Sequence, residues 1–554
     1  MSTKFVNPYT FIPMNQNKIN REDPSNYYKG ELISGFINCE LVAKTPLFIP
    51  DIENVVYDKS TKHNQYKFYK INGDYIIPGS SIRGTIRSIY EIITNSCMST
   101  TNENEKITRR VNPKKIFKPV VIRQINNKWE IFEACRIPIR DENIRNYEFG
   151  DEYNDLYNLR KKISRRYNIN PYDKAYVYKG EKGPGKKPGR NGAIFVLQPN
   201  KRIYIDNNTL DEIIKNLDYS YQEYNNPSVN KELTDTKSKF YNGYEDARKN
   251  KKVIPCYYNN IGDKHYLSLA AIGRSTYYNN INDILMRDSL EPCNERDKLC
   301  NTCMLFGMAG ETSYGSKVRF TDAKASSHIS SSMATLKELS GPKISYLPFY
   351  VKGDYDSESA KLSGRKMYWH QPKAAYNSSV YSTNEKNNRN ITSELLNVGS
   401  KFQFKVYFDR ITKEQLSNLL WALTLGENSK NSKYCHKIGH GKPIGLGSCK
   451  ITVESIYKRT YYNDEYKLES IDVNEMISKA MIYSKKDLLN VCNFTYLENI
   501  EVSYPYVIKN NKKDDPFKWF AKNKYSLPEI GKTKDHQFEA AQLDGGSYNR
   551  NKRR

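Results

Sequence analysis

Amphipathic sequence in this chain comes in separated blocks, and that spacing limits the fold more than any other feature. Glu31 to Ile49 alternates apolar and polar residues over much of its length, the pattern of a half-buried strand. Gln65–Ile71 and Tyr75–Ile77, joined by Asn72-Gly73-Asp74, read as a hairpin. Ile82, Ile86, Ile89 and Ile93 then recur at three- and four-residue steps, which predicts an amphipathic helix with Ser80 or Ser81 as N-cap. Far along the chain the pattern returns. Phe402–Phe408 alternates as a strand, and Lys413–Gly426 puts Leu416, Leu419, Leu420 and Leu423 on one helical face. Ser448–Ile456 reads as a last strand. Residues 31–97 and 399–456 are therefore expected to be halves of one α+β core. Between them lie a polar insertion (98–252), a core continuation (253–325) and a second insertion (326–398). Residues 1–30 read as an irregular arm, and 457–554 as an appended extension ending in a disordered basic tail, Arg550–Arg554.

Charge narrows the partner. Of 554 residues, 87 are Lys or Arg and 62 are Asp or Glu, a net charge of +25. The Lys, Asn, Ile and Tyr bias is what an A/T-rich genome would encode, but such drift does not explain why acids fail to keep pace. A polyanion partner is expected, nucleic acid being the commonest. Apolar residues are only 38%, yet 45 Tyr and 20 Phe suffice to build a core. No run of 18 apolar residues exists and the N-terminus lacks a signal-like block, so a cytoplasmic protein without membrane partners is expected. Ten Cys in that setting are expected to be reduced.

Three motifs carry chemistry. Cys293, Cys300 and Cys303 form a Cys-x6-Cys-x2-Cys group suited to structural tetrahedral zinc, with His265 as the best candidate for a fourth ligand and Cys256 behind it. The helix opening with Pro78-Gly-Ser-Ser81 places free N–H groups where an anion could sit, and Arg83 and Arg87, four apart, form a candidate phosphate clamp. Gly439, Gly441, Gly445 and Gly447, interleaved with Lys437, His440 and Lys442, form a loop whose backbone can approach RNA or phosphate. Its spacing is not that of a dinucleotide fingerprint. Gly180–Lys187 nearly matches a P-loop, but Lys187 stands where Ser or Thr must hold Mg²⁺, and Pro188 disfavours a helix there.

Taken in order, Ile77-Pro-Gly-Ser-Ser-Ile-Arg-Gly84, Leu305-Phe-Gly307 with Val318-Arg-Phe-Thr-Asp-Ala323, and Gly439–Gly447 resemble the RAMP superfamily of CRISPR-associated proteins. The closer resemblance is to the guide-wrapping backbone subunits of type III effector complexes, and Gly364-Arg-Lys-x-Tyr-Trp-His370 suggests the long type III-D-like branch. It implies a ferredoxin-like, RRM-type core with large insertions, a zinc knuckle and a C-terminal extension. It also implies crRNA, target RNA and other effector subunits as partners. Ser80, Ser81, Arg83, Arg87, Lys437, Gly439, His440, Gly441, Lys442, Gly445 and Gly447 are then the RNA-binding candidates. Target-cutting relatives use a loop aspartate with Mg²⁺; the usual spacing falls at His63–Gln65, which holds no Asp, leaving Asp58 and Asp51 as the loop acids. Two rival readings follow: a metal-independent guide-processing endoribonuclease using His63 or His440, and a non-catalytic zinc-stabilised scaffold.

Overall fold

In the computed structural model, residues 4–15, 18–101, 106–110, 117–163, 169–170, 172–179, 192–225, 243–271, 274–326, 329–339, 346–462, 465–509, 512–514, 518–520 and 523–542 are described. The basic loop 180–190 and the tail 550–554 lie outside them. The chain divides into two units, one of residues 1–103, 282–354 and 359–554, the other of residues 104–281 and 355–358.

The first unit is built on β1 (Ile33–Ala43), β2 (Asp74–Ile77), α1 (Gly79–Ile93), β3 (Val318–Phe320) and β4 (Ala323–Ala325). After these come β5 (Lys401–Ile411), α3 (Lys413–Thr424), β6 (His436–Lys437), β7 (Ser448–Tyr462) and β8 (Glu465–Ser470), with a short helix α2 (Asn301–Phe306) before β3. The sheet order is β6-β7-β1-β5-β4-β2, with β3 also on β5 and β8 on β7. Every one of these pairings is antiparallel. The fourth core strand therefore lies beside the first, the first beside the third, and the third beside the second: a βαββαβ arrangement.

The periodicities explain these elements. Ile33, Ile37, Cys39, Leu41 and Ala43 of β1 point into the core while Ser34, Phe36 and Asn38 point away. Ile82, Ile86, Ile89 and Ile93 are all buried on one stripe of α1. Thr412 and Gln415 close a reciprocal capping box on α3. The hairpin before β2 turns through Asn72 (φ 51°) and Gly73 (φ 86°), as a two-residue turn matching strand twist requires.

Three boundaries differ from the sequence reading. Residues 104–281 are not loose sequence. They form an antiparallel six-stranded sheet over a separate core that includes Val121, Phe195, Leu217 and Ile254. Val253–Ile261 pairs there with Lys118–Ile125, so this stretch joins the insertion, not the core continuation. The 457–554 extension is no appendage, since Ile477, Leu488, Val491, Leu497 and Ile530 enter the main core. The N-terminal arm is not irregular: Tyr9–Ile12 pairs with Arg365–Tyr368, and Phe5 packs with Tyr506, Trp519 and Phe538. No described helix is long and apolar enough to cross a membrane.

Candidate functional site

Two sites emerge in the first unit. The first is a cleft of about 490 Å³ between the opening turn of α1 and the Gly-rich loop. Ser80, Ser81, Gly84 and Thr85 line it from α1, and Lys437, Gly439, His440 and Lys442 from the loop, with Lys366 and His370 beside them. Three lysines face it, and among the described residues no carboxylate lines it.

Local geometry shows why glycine is needed in this loop. A Cβ on Gly439 would lie 2.4 Å from the Phe48 carbonyl, and one on Gly447 1.9 Å from the Ile438 carbonyl, both at positive φ. The loop is locked by Ile438 N–H donating to Gly447 O (2.8 Å), His440 N–H to Phe48 O (2.9 Å) and Gly447 N–H to Pro46 O (2.9 Å). Gly441, Gly445 and Gly447 therefore shape the loop without lining the cleft, and Gly445 lies against Gln371 and Ala374.

Lys437 Nζ donates to Gly445 O (3.2 Å) and Leu446 O (3.0 Å). Burial lowers it to about 7. Burial also lowers Lys442, and it lowers His440, to which the Lys442 charge adds. His370 is held by Ser448 Oγ (2.9 Å) and the Cys435 carbonyl (3.0 Å), and burial keeps it neutral.

The α1 opening differs from expectation. The helix starts at Gly79 with Pro78 in the cap position and no side-chain cap; neither Ser80 nor Ser81 caps it. Asp322, from the turn between β3 and β4, accepts from Gly79 N–H at 2.8 Å. Arg83 and Arg87 do not reach the cleft. Arg83 donates to the Phe306 carbonyl, and Arg87 to Gly307 O (3.2 Å) and Glu91 Oε1 (3.2 Å). They brace α1 against α2.

The loop acids stand apart. Asp58 is exposed and accepts from Ser60 Oγ (2.7 Å), Thr61 Oγ1 (2.8 Å) and Ser60 N–H (2.9 Å), which together lower it to about 2. Asp51 accepts from Asn54 Nδ2 (2.8 Å) and Glu53 N–H (3.2 Å). Neither lines the cleft. His63 is buried with both ring nitrogens engaged, by Asn387 O (3.0 Å) and Thr392 Oγ1 (2.8 Å).

The second site is a buried cluster of Cys97, Cys293, Cys300 and Cys303, whose sulfurs all lie within 4.8 Å of one another. Cys97 takes the fourth place that the sequence reading offered to His265. His265 lies on the Lys264–Ser268 strand of the other unit, with Nδ1 against the Tyr258 hydroxyl (2.8 Å). Cys256 is also buried in that unit's core. Cys97 follows α1, and its carbonyl accepts from Arg365 (3.1 Å), which also pairs with Glu91 (3.0 Å). Its sulfur is 3.6 Å from both Cys300 and Cys303. Four thiolates around tetrahedral zinc stand roughly 3.8 Å apart, from a metal–sulfur distance of ~2.3 Å. The donor set therefore fits. Two donors reach the sulfurs: Arg87 approaches Cys303 Sγ (3.8 Å), and the Cys300 N–H donates to Cys293 Sγ (3.3 Å). Only tertiary structure reveals Cys97 as a member, because nothing in its local spacing marks it.

Comparison with protein families matches residues 40–264 to the RAMP superfamily. Over that stretch the chain is similar to RAMP-superfamily proteins. The match covers the last four residues of β1, all of α1 and most of the second unit, and ends before the Gly-rich loop. No curated protein matches the chain.

Proposed function

We propose that this chain is a guide-RNA-binding backbone subunit of a type III RNA-targeting CRISPR complex. The observation that carries this reading is the cleft. It unites two motifs far apart in sequence and lines them with three lysines and, among the described residues, no carboxylate. Such a cleft suits a phosphate backbone, where positive charge and small backbone contacts matter more than base identity. The βαββαβ strand order supports a ferredoxin-like, RRM-type core. A wider cleft of about 1090 Å³ on the far side of Pro443 and Ile444 suits the role less well, since Glu338, Glu498 and Glu501 offset Lys337, Lys373, Arg389 and Lys513. In this reading zinc holds the four cysteines, tying the segment after α1 to α2 as a structural centre.

The test is RNA binding by the purified chain across a salt series. Tight binding that weakens with salt is expected, and Lys442→Ala should lower affinity and reduce the salt slope by about one. Absence of RNA affinity at low salt would sink the proposal. Target cleavage would fall to Asp58 and Asp51, whose carboxylates could take Mg²⁺. Unchanged cutting by both Asp→Ala variants in a guide-loaded complex removes them from that role. The processing-ribonuclease reading keeps one candidate, His440, because it alone of the two histidines lines the cleft. Precursor RNA left intact in EDTA excludes it.

A further inference from the structure

The core sheet has a second face, and it carries an arrangement that the cleft does not use. α1 and α3 cover the face formed by Ile37, Leu41, Phe404 and Ile451. On the opposite face, strand register aligns one row across four strands: Arg319 of β3, Tyr407 of β5, Phe36 of β1 and Tyr457 of β7. The Phe36 ring is 6.1 Å from Tyr407 and 5.3 Å from Tyr457. None of the three belongs to the hydrophobic core beneath the sheet. Cations border the row. Arg319 and Arg459 lie 5.0 and 5.8 Å from the Tyr407 ring centre, and Lys405 lies 5.2 Å from that of Phe36.

The row continues outward. Along β7, Arg459 and Tyr461 alternate onto the same face as Tyr457, and Tyr466 of β8 pairs opposite Tyr461. Tyr461 is 78% exposed and Tyr466 52%. Asp409, the acid at the inner end, accepts from Ser34 Oγ (2.8 Å). Aromatic rings buried for stability alone are normally covered by a second layer. Here they are half-buried, in line and flanked by guanidinium and ammonium groups.

The geometry points to this face as a second nucleic-acid site, a stacking platform for unpaired bases of single-stranded RNA, separate from the cleft. Base–ring stacking tolerates any sequence, and the flanking cations suit the phosphates between stacked bases. The positive border argues for a polyanion over a second protein surface.

The test uses the full chain and a short, labelled, unstructured RNA. Tyr407→Ala with Tyr457→Ala should weaken binding about tenfold, the loss expected when stacking rings are removed. Tyr407→Phe with Tyr457→Phe should bind within about twofold of the parent, because the ring faces remain. Arg319→Gln with Arg459→Gln, which leaves the rings in place, should weaken binding and flatten its salt dependence. Ultraviolet cross-linking should join the RNA to Tyr407 or Tyr457, and Lys442→Ala in the cleft should not abolish that adduct. Unchanged affinity in the alanine pair with its melting temperature retained overturns the proposal. So does an equal loss in the phenylalanine pair, or a change in oligomeric mass with RNA binding intact, which would mean that the face joins copies of the chain.

Discussion

Lys437 shows how a single residue links burial to ligand binding. Its ammonium is enclosed among backbone carbonyls, and burial lowers it to about 7. An anion in the cleft favours the charged form, so RNA binding above that pH draws a proton onto the lysine. Affinity should be full below about 7 and fall as pH rises past it; binding measured on either side of neutrality checks this, and Lys437→Met should flatten the profile. Folding has the opposite sign. Between about 7 and the ordinary lysine value the unfolded chain holds a proton that the folded chain lacks, so this residue opposes folding most strongly at low pH and less as pH rises. Cys97 makes a second residue-scale point. Cys97→Ser should lose bound metal as fully as Cys300→Ser, with a stability loss above ~2 kcal/mol, whereas His265→Gln should retain metal. Metal analysis and thermal melting separate the two outcomes.

At the scale of elements, α1 serves two structures at once. Its apolar stripe fills the core, its first turn lines the cleft, and its arginines grip α2 beside the cysteines. Ile86→Ala should destabilise the chain by about 3 kcal/mol, the usual loss when a buried aliphatic side chain leaves a cavity, as denaturant unfolding would show. Arg87→Ala should lower stability and metal retention while leaving the salt slope of RNA binding unchanged. Residues four apart share a helix face, which is why Arg83 and Arg87 read as a phosphate clamp. Spacing does not say what that face meets, and here it meets the carbonyls of Phe306 and Gly307. The Gly-rich loop was more legible, because its glycines answer a local need: chain passing too close to neighbouring carbonyls for any Cβ.

At the scale of the whole molecule, the two units have separate cores. Phe195→Ala should weaken the 104–281 unit by ~3–5 kcal/mol and leave zinc uptake by the cysteine cluster unchanged; Trp519→Ala should instead weaken the unit that holds the cluster. Unfolding followed together with metal release distinguishes them. The core strands, α1, α3 and the Cys-x2-Cys pair were readable because periodicity and short spacing are properties of neighbours in the chain. The 104–281 unit was not, although Lys128–Ile139 and Gly192–Ile203 are strands of 12 residues each, because polar sequence separates its strands and only their pairing across that distance makes a sheet. The sequence by itself determined the core strands, α1, α3 and which chemical groups are at hand. Tertiary structure alone decided that Cys97 joins the three cysteines, that α1 and the Gly-rich loop share one cleft, and that Tyr407, Phe36 and Tyr457 fall in one row. Each of those depends on strand register and packing between residues hundreds of positions apart, which no local pattern encodes.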